Sequence, residues 1–131
     1  MAIEAAILAP ALVTFVLLAV AAGRIQTAGG TIDAAARAGA RTASITRGAD
    51  GIDKAARAAT AEVLKQDGVS CRRLEVTLSQ GKLDTPAGQL DTRTVRVSCE
   101  VGLGDLVVPG LPGSKTMIGT FTSVVDRYRG Q

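Results

Sequence analysis

The feature that most constrains this chain is its beginning. From Ala5 to Gly23 the sequence runs for 19 residues without an ionisable side chain, and Thr14 alone carries a polar group. Coiled at ~1.5 Å per residue, that run would reach ~28 Å as a helix, close to the hydrocarbon thickness of a bilayer. A helix buried in a soluble core seldom stays apolar on every side for so long. The segment is therefore read as membrane-inserted at some stage of the protein's life, with Arg24 as the first charge beyond it.

What precedes the run is unusual. The flank Met1-Ala2-Ile3-Glu4 contains no Lys or Arg, whereas a signal peptide, or an anchor with its N-terminus inside, carries basic residues there. Either the orientation is set otherwise, or a basic leader lay upstream and was removed. Glu4 stands at the mouth of the apolar helix, where the helix dipole favours a carboxylate. Drawn deeper into an apolar surrounding it would need a cationic partner. The nearest candidate is an α-amino group, its own or that of an identical neighbour.

Ala2-Ile3-Glu4, the small and aliphatic run after it, and Pro10 a few residues in resemble the start of a processed type IV pilin. More narrowly they resemble the TadE-like pseudopilins of tight-adherence (Tad) pili. The resemblance implies that a prepilin peptidase cleaves a short basic leader and that Met1 and Glu4 act in assembly. It also implies that Glu4 guides subunits into a growing filament and that Pro10 kinks the helix. The partners implied are identical or related pilin subunits, with the cytoplasmic membrane holding the chain before assembly and the extracellular pilus or cell surface receiving it afterwards. The long helix, a small C-terminal β region and the closing Asp126-Arg-Tyr-Arg-Gly130 are TadE-like as well. Major Tad pilins are much shorter, so a minor pseudopilin is the nearer likeness.

The remainder supports an α+β fold. From Arg24 to about Thr46 the chain turns polar but stays helix-friendly. Ile25, Ala28, Ile32, Ala35, Gly39 and Ala43 recur near helical spacing as a narrow face of small residues. That face either permits close packing or merely reflects the helix preference of Ala. One nearly continuous helix is expected from Ala5 to about Thr46, passing through Gly29-Gly30. Residues 1–47 then form the apolar helix and its polar extension, and 48–131 a small α+β extracytoplasmic domain. A second helix is expected over about 51–66, capped by the Asp50–Asp53 stretch, stopped at Gly68, and lying on a sheet. Its packing face would be Ile52, Ala55, Ala56, Ala59 and Val63.

After Gly68 the apolar period shortens to two. Leu74, Val76 and Leu78 mark a strand over about 71–79, and Val95, Val97, Cys99 and Val101 mark another over about 93–103. The intervening Gly81–Asp91 is expected as an exposed loop, and a third strand over about 115–126. Cys71 and Cys99 would sit at corresponding ends of the first two strands. In a small domain beyond a membrane segment they suggest an oxidising compartment and a disulfide. Two free buried thiols are the alternative.

No catalytic constellation is legible. The chain lacks His altogether, so triads built on it are impossible, and Val101-Gly-Leu-Gly-Asp-Leu106 has neither phosphate-loop spacing nor an expected helix after it. Asp84, Asp91, Glu100, Asp105 and Asp126 read as solvated surface charges. No metal, cofactor or enzymatic activity is expected. A net charge of +3 and 2% aromatic content argue against a nucleic-acid partner. A filament subunit is the leading reading. A single-pass anchor carrying a small extracytoplasmic binding module is the alternative.

Overall fold

The computed structural model describes residues 2–125. Met1 and Asp126 onward lie outside the described residues, including the end expected for the third strand and the Asp126–Gly130 motif. Helix α1 runs unbroken from Ala2 to Ile45, straight through Gly29-Gly30, as the small-residue spacing predicts. A three-residue link leads to α2, Ala49–Gln66. Two long strands, β1 (Arg73–Thr85) and β2 (Gly88–Gly102), precede a single helical turn, α3 (Leu103–Leu106), and β3 (Ser114–Val124) closes the order. The sheet is antiparallel throughout, with order β1-β2-β3. An α+β layout with a long N-terminal helix, a second helix and a C-terminal sheet is what the sequence implies.

The C-terminal half of α1 is the middle layer of the head. One side meets β2 and β3, and the other meets α2. Thr31, Ile32, Ala35, Ala36, Gly39, Ala40 and Ala43 are all buried, two adjacent rows of the helix rather than one narrow face. The expected face is correct in Ala28, Ile32, Ala35, Gly39 and Ala43 but covers only the part of the helix turned to one neighbour. The small side chains are there because two layers press on one helix. At Gly119 of β3 an added Cβ would fall 2.9 Å from the Ile32 carbonyl oxygen, and at Gly39 it would fall 2.5 Å from Thr60 Oγ1.

Helix α2 packs chiefly on α1 and touches the sheet only lightly, at β1, so the expectation that it lies on the sheet is corrected. Its buried residues are Ile52, Ala56, Thr60 and Leu64, while Ala55, Ala59 and Val63 are half-buried. The face is rotated toward Thr60, whose hydroxyl donates to the Ala35 carbonyl oxygen at 3.4 Å. A buried Thr bonded to its neighbour's backbone is invisible to a count of apolar residues. The expected capping by Asp50 and Asp53 does not form. Gly48, at φ 85°, occupies the cap position without a side-chain bond, and Asp53 instead accepts from Arg57 Nε at 2.8 Å. That bond raises the Arg57 pKa. The Gly68 stop is as expected: at φ 70° its N–H donates to Lys65 O, while Val69 N–H donates to Leu64 O. This is the paired closure of a helix ended by a left-handed Gly.

The sheet departs from expectation in its hairpin. Gly81–Asp91 is not a loop: pairing continues as Gly81↔Thr92, Lys82↔Asp91, Leu83↔Leu90 and Asp84↔Gln89 to a turn at Pro86-Ala87. Among the described residues no non-Gly residue takes positive φ, and Gly88 takes φ 117° directly after the turn, which lets the chain re-enter the ladder with the strands' twist. Polar turn-forming residues concealed a ribbon held by backbone bonds and cross-strand pairs rather than by a core. Likewise Val101–Leu106 contains one helical turn, α3, where no helix was expected. In β3, Met117 and Gly119 are buried and Phe121 is half-buried. A glycine at an inward position is what obscures the alternation in sequence.

Candidate functional site

From Ile3 to Val20 every residue of α1 is exposed. Ile7 is 67% exposed, Phe15 70% and Leu18 66%, and none of the most apolar stretch is buried. The helix is long and apolar enough to cross a membrane. Glu4 lies in its first turn and is exposed. Pro10 is inside the helix, where the missing N–H leaves the Ala6 carbonyl without its helical donor. Thr14, the lone polar side chain of the run, donates its hydroxyl to the Pro10 carbonyl oxygen at 2.8 Å. An internally bonded hydroxyl suits an apolar surrounding, since no donor is left without a partner. Thr27 repeats the arrangement on the Gly23 carbonyl oxygen at 3.0 Å.

Where the stalk meets the head, a groove of about 580 Å³ opens between Val20, Arg24 and Thr27 of α1 and Asp67, Asp105 and Leu106 of the head. Thr31 ties its floor together, donating to Asp67 Oδ2 at 3.3 Å. The sequence marks Arg24 as the first charge after the apolar run. Nothing in the chain order announces that Asp67 and Asp105, far away in sequence, line the same groove. Tertiary folding alone assembles this collar.

Cys71 and Cys99 are bonded, with Cα atoms 5.3 Å apart. Cys99 is fully buried in β2, whereas Cys71 precedes β1, where Arg72 N–H donates to Glu100 O at 2.7 Å. The pairing is the one expected, but Cys71 lies just outside its strand. The bridge therefore fastens the end of α2's connection to the central strand, at the stalk end of the head. Among the described residues no group of three or more His, Cys, Asp or Glu is placed to hold a metal ion.

An exposed apolar stalk, an acid in its first turn and a helix shared between stalk and head direct attention to the N-terminal third. Residues 1–41 match the family model of TadE-like proteins. The matched stretch contains the stalk and nearly all of the buried half of α1. Neither curated proteins nor solved structures yield a match to the chain. The TadE-like segment and the apolar helix together fit a membrane-anchored protein related to Tad pili. Of the residues assigned to assembly by resemblance, Glu4 is on the open stalk and Met1 lies outside the described residues, while Pro10, assigned to the helix kink, is inside the same helix.

Proposed function

We propose that this chain is a structural subunit, a minor pseudopilin, of a Tad-type filament. It would wait in the cytoplasmic membrane and exchange lipid for the stalks of identical or related subunits on assembly, ending at the cell surface. The observation that carries this reading is the division of α1: one continuous helix is bare through its apolar half and locked into a small folded head through the other. A membrane tether needs only the first property. A subunit that must carry its head out of the bilayer and into fixed register with others gains from a rigid helix common to both.

Glu4 supplies selectivity in this reading. A carboxylate entering an apolar surrounding unpaired costs several kcal/mol, whereas one meeting a neighbour's α-amino group gains a charge-assisted bond. A subunit therefore enters beside another subunit rather than alone. Pro10 supplies a bend near the entering end, where the opened backbone is tolerated once neighbours or side chains satisfy it. A prepilin peptidase would prepare the N-terminus.

The test is Glu4→Ala in the native host. The variant is expected in the membrane at parental levels, disulfide-bonded, and absent from sheared filaments. Normal incorporation would remove Glu4 from assembly. Mass analysis of the native N-terminus adds a second reading: a processed terminus supports the pseudopilin, and an unprocessed one in cells without filaments favours the single-pass anchor with a binding module.

A further inference from the structure

The head carries a second apolar feature, at the level where α1 leaves its apolar run. From Leu106 to Ser114 the sequence Leu-Val-Val-Pro-Gly-Leu-Pro-Gly-Ser contains no ionisable group. Within it Val108 is 55% exposed and Leu111 43%. Single exposed apolar residues are ordinary on protein surfaces, and position and surroundings set these two apart. The loop follows α3, whose Asp105 and Leu106 line the collar together with Val20 and Arg24. It therefore hangs from the end of the head nearest the stalk. Leu83, also exposed at 49%, lies instead near the tip of the β1–β2 hairpin, between Lys82 and Asp84.

Part of the loop's backbone is already bonded within the head. Pro109 and Pro112 have no N–H to leave unsatisfied. Leu111 N–H donates to Val108 O at 3.2 Å, Val107 N–H to Leu103 O at 2.9 Å, and Leu103 N–H to Gly113 O at 3.0 Å. Two of the loop's N–H groups and two of its carbonyls are thus bonded within the head, and Val108 and Leu111 can enter the headgroup layer while the remaining backbone groups keep contact with water there. Arg24, Asp67 and Asp105 line one groove and so present both signs of charge at the same level, suited to zwitterionic headgroups rather than to an anionic surface alone.

We propose that the loop from Val107 to Gly113 inserts Val108 and Leu111 into the lipid leaflet from which α1 emerges, so that the unassembled subunit holds the membrane at two points. The head then stands at a fixed tilt and rotation about α1, with the β1–β2 hairpin pointing away from the bilayer. The proposal rests on the membrane-anchored reading of the stalk.

The chain has no Trp, so three single-Trp variants of the full chain report separately: Phe15→Trp in the stalk, Leu111→Trp in the loop and Leu83→Trp near the hairpin tip. Each is reconstituted in phosphatidylcholine bilayers containing nitroxide lipids labelled at the headgroup or mid-chain. Phe15→Trp should be quenched by the mid-chain label. Leu111→Trp should emit at shorter wavelength than Leu83→Trp and be quenched most by the headgroup label, leaving Leu83→Trp unquenched. Quenching of Phe15→Trp alone, with Leu111→Trp resembling Leu83→Trp, would overturn the loop contact and leave the anchor intact. Equal quenching of Leu83→Trp and Leu111→Trp would overturn it as well, since the head would then lie on lipid without using the loop. Absence of quenching at Phe15→Trp would overturn the anchor and the loop contact together.

Discussion

Replacing Gly119 by Ala tests the closest approach in the head. The added Cβ would stand 2.9 Å from the Ile32 carbonyl oxygen, 3.0 Å from its carbon and 3.0 Å from Asp33 Oδ1. The Asp33 side chain is exposed and can swing aside, but the Ile32 carbonyl belongs to the backbone of α1 and cannot. Since carbon contacts are comfortable only from ~3.5 Å, either β3 or α1 must give by roughly half an ångström. Neither is free to do so, because α1 is held on its other side by α2 and Ile32 itself is fully buried. Overpacking of this kind costs ~1–3 kcal/mol, and the reduced freedom of Ala in the unfolded chain offsets ~0.4–1 kcal/mol of that. A net loss of ~1–2 kcal/mol should lower Tm by roughly 4–15 °C in a head of about 100 residues. The assay is thermal unfolding by circular dichroism in one detergent, disulfide intact, beside Gly29→Ala. Gly29 has nothing within 4 Å of its added Cβ and lies within α1, so that change should raise stability by ~0.5–1 kcal/mol. If Gly119→Ala melts at or above the parent while Gly29→Ala behaves as expected, the close contact between β3 and α1 is wrong.

Ile32→Ala should cost ~2–5 kcal/mol, because the side chain is fully buried between layers that cannot collapse onto the space; urea unfolding with an unchanged m-value checks it. Reducing the Cys71–Cys99 bridge, which closes a separation of 28 residues, should remove ~3–4 kcal/mol on a chain-entropy view. A melt with and without reductant measures this, and an unchanged Tm would mean the bond restrains little. Pro10→Ala restores a helical donor to the Ala6 carbonyl and should slow amide exchange over the first turns of α1 while leaving the head's melting temperature unchanged.

The sequence by itself determined the elements whose signal is local. A charge-free run longer than a soluble core tolerates specified the stalk, and alternation at Leu74, Val76 and Leu78 and from Val95 to Val101 specified the strand cores. Gly68 specified the end of α2, because a left-handed stop needs only the residue that adopts it without strain. A bond between Cys71 and Cys99 was the expected arrangement from their places at corresponding strand ends, and the fold, with their Cα atoms 5.3 Å apart, decided it against two free thiols. Tertiary structure decided what depends on partners distant in the chain. Whether α2 lay on the sheet or on α1 turned on Gly39 and Thr60, whose roles exist only where two helices meet. The hairpin from Gly81 to Asp91 looked like a loop because its residues favour turns, and cross-strand pairing overrode that preference. The collar of Arg24, Asp67 and Asp105 and the position of the Val108–Leu111 loop beside the stalk were invisible for the same reason. Periodicity records which face of an element is covered, but the identity of the covering element is set by the summed fit of all layers at once.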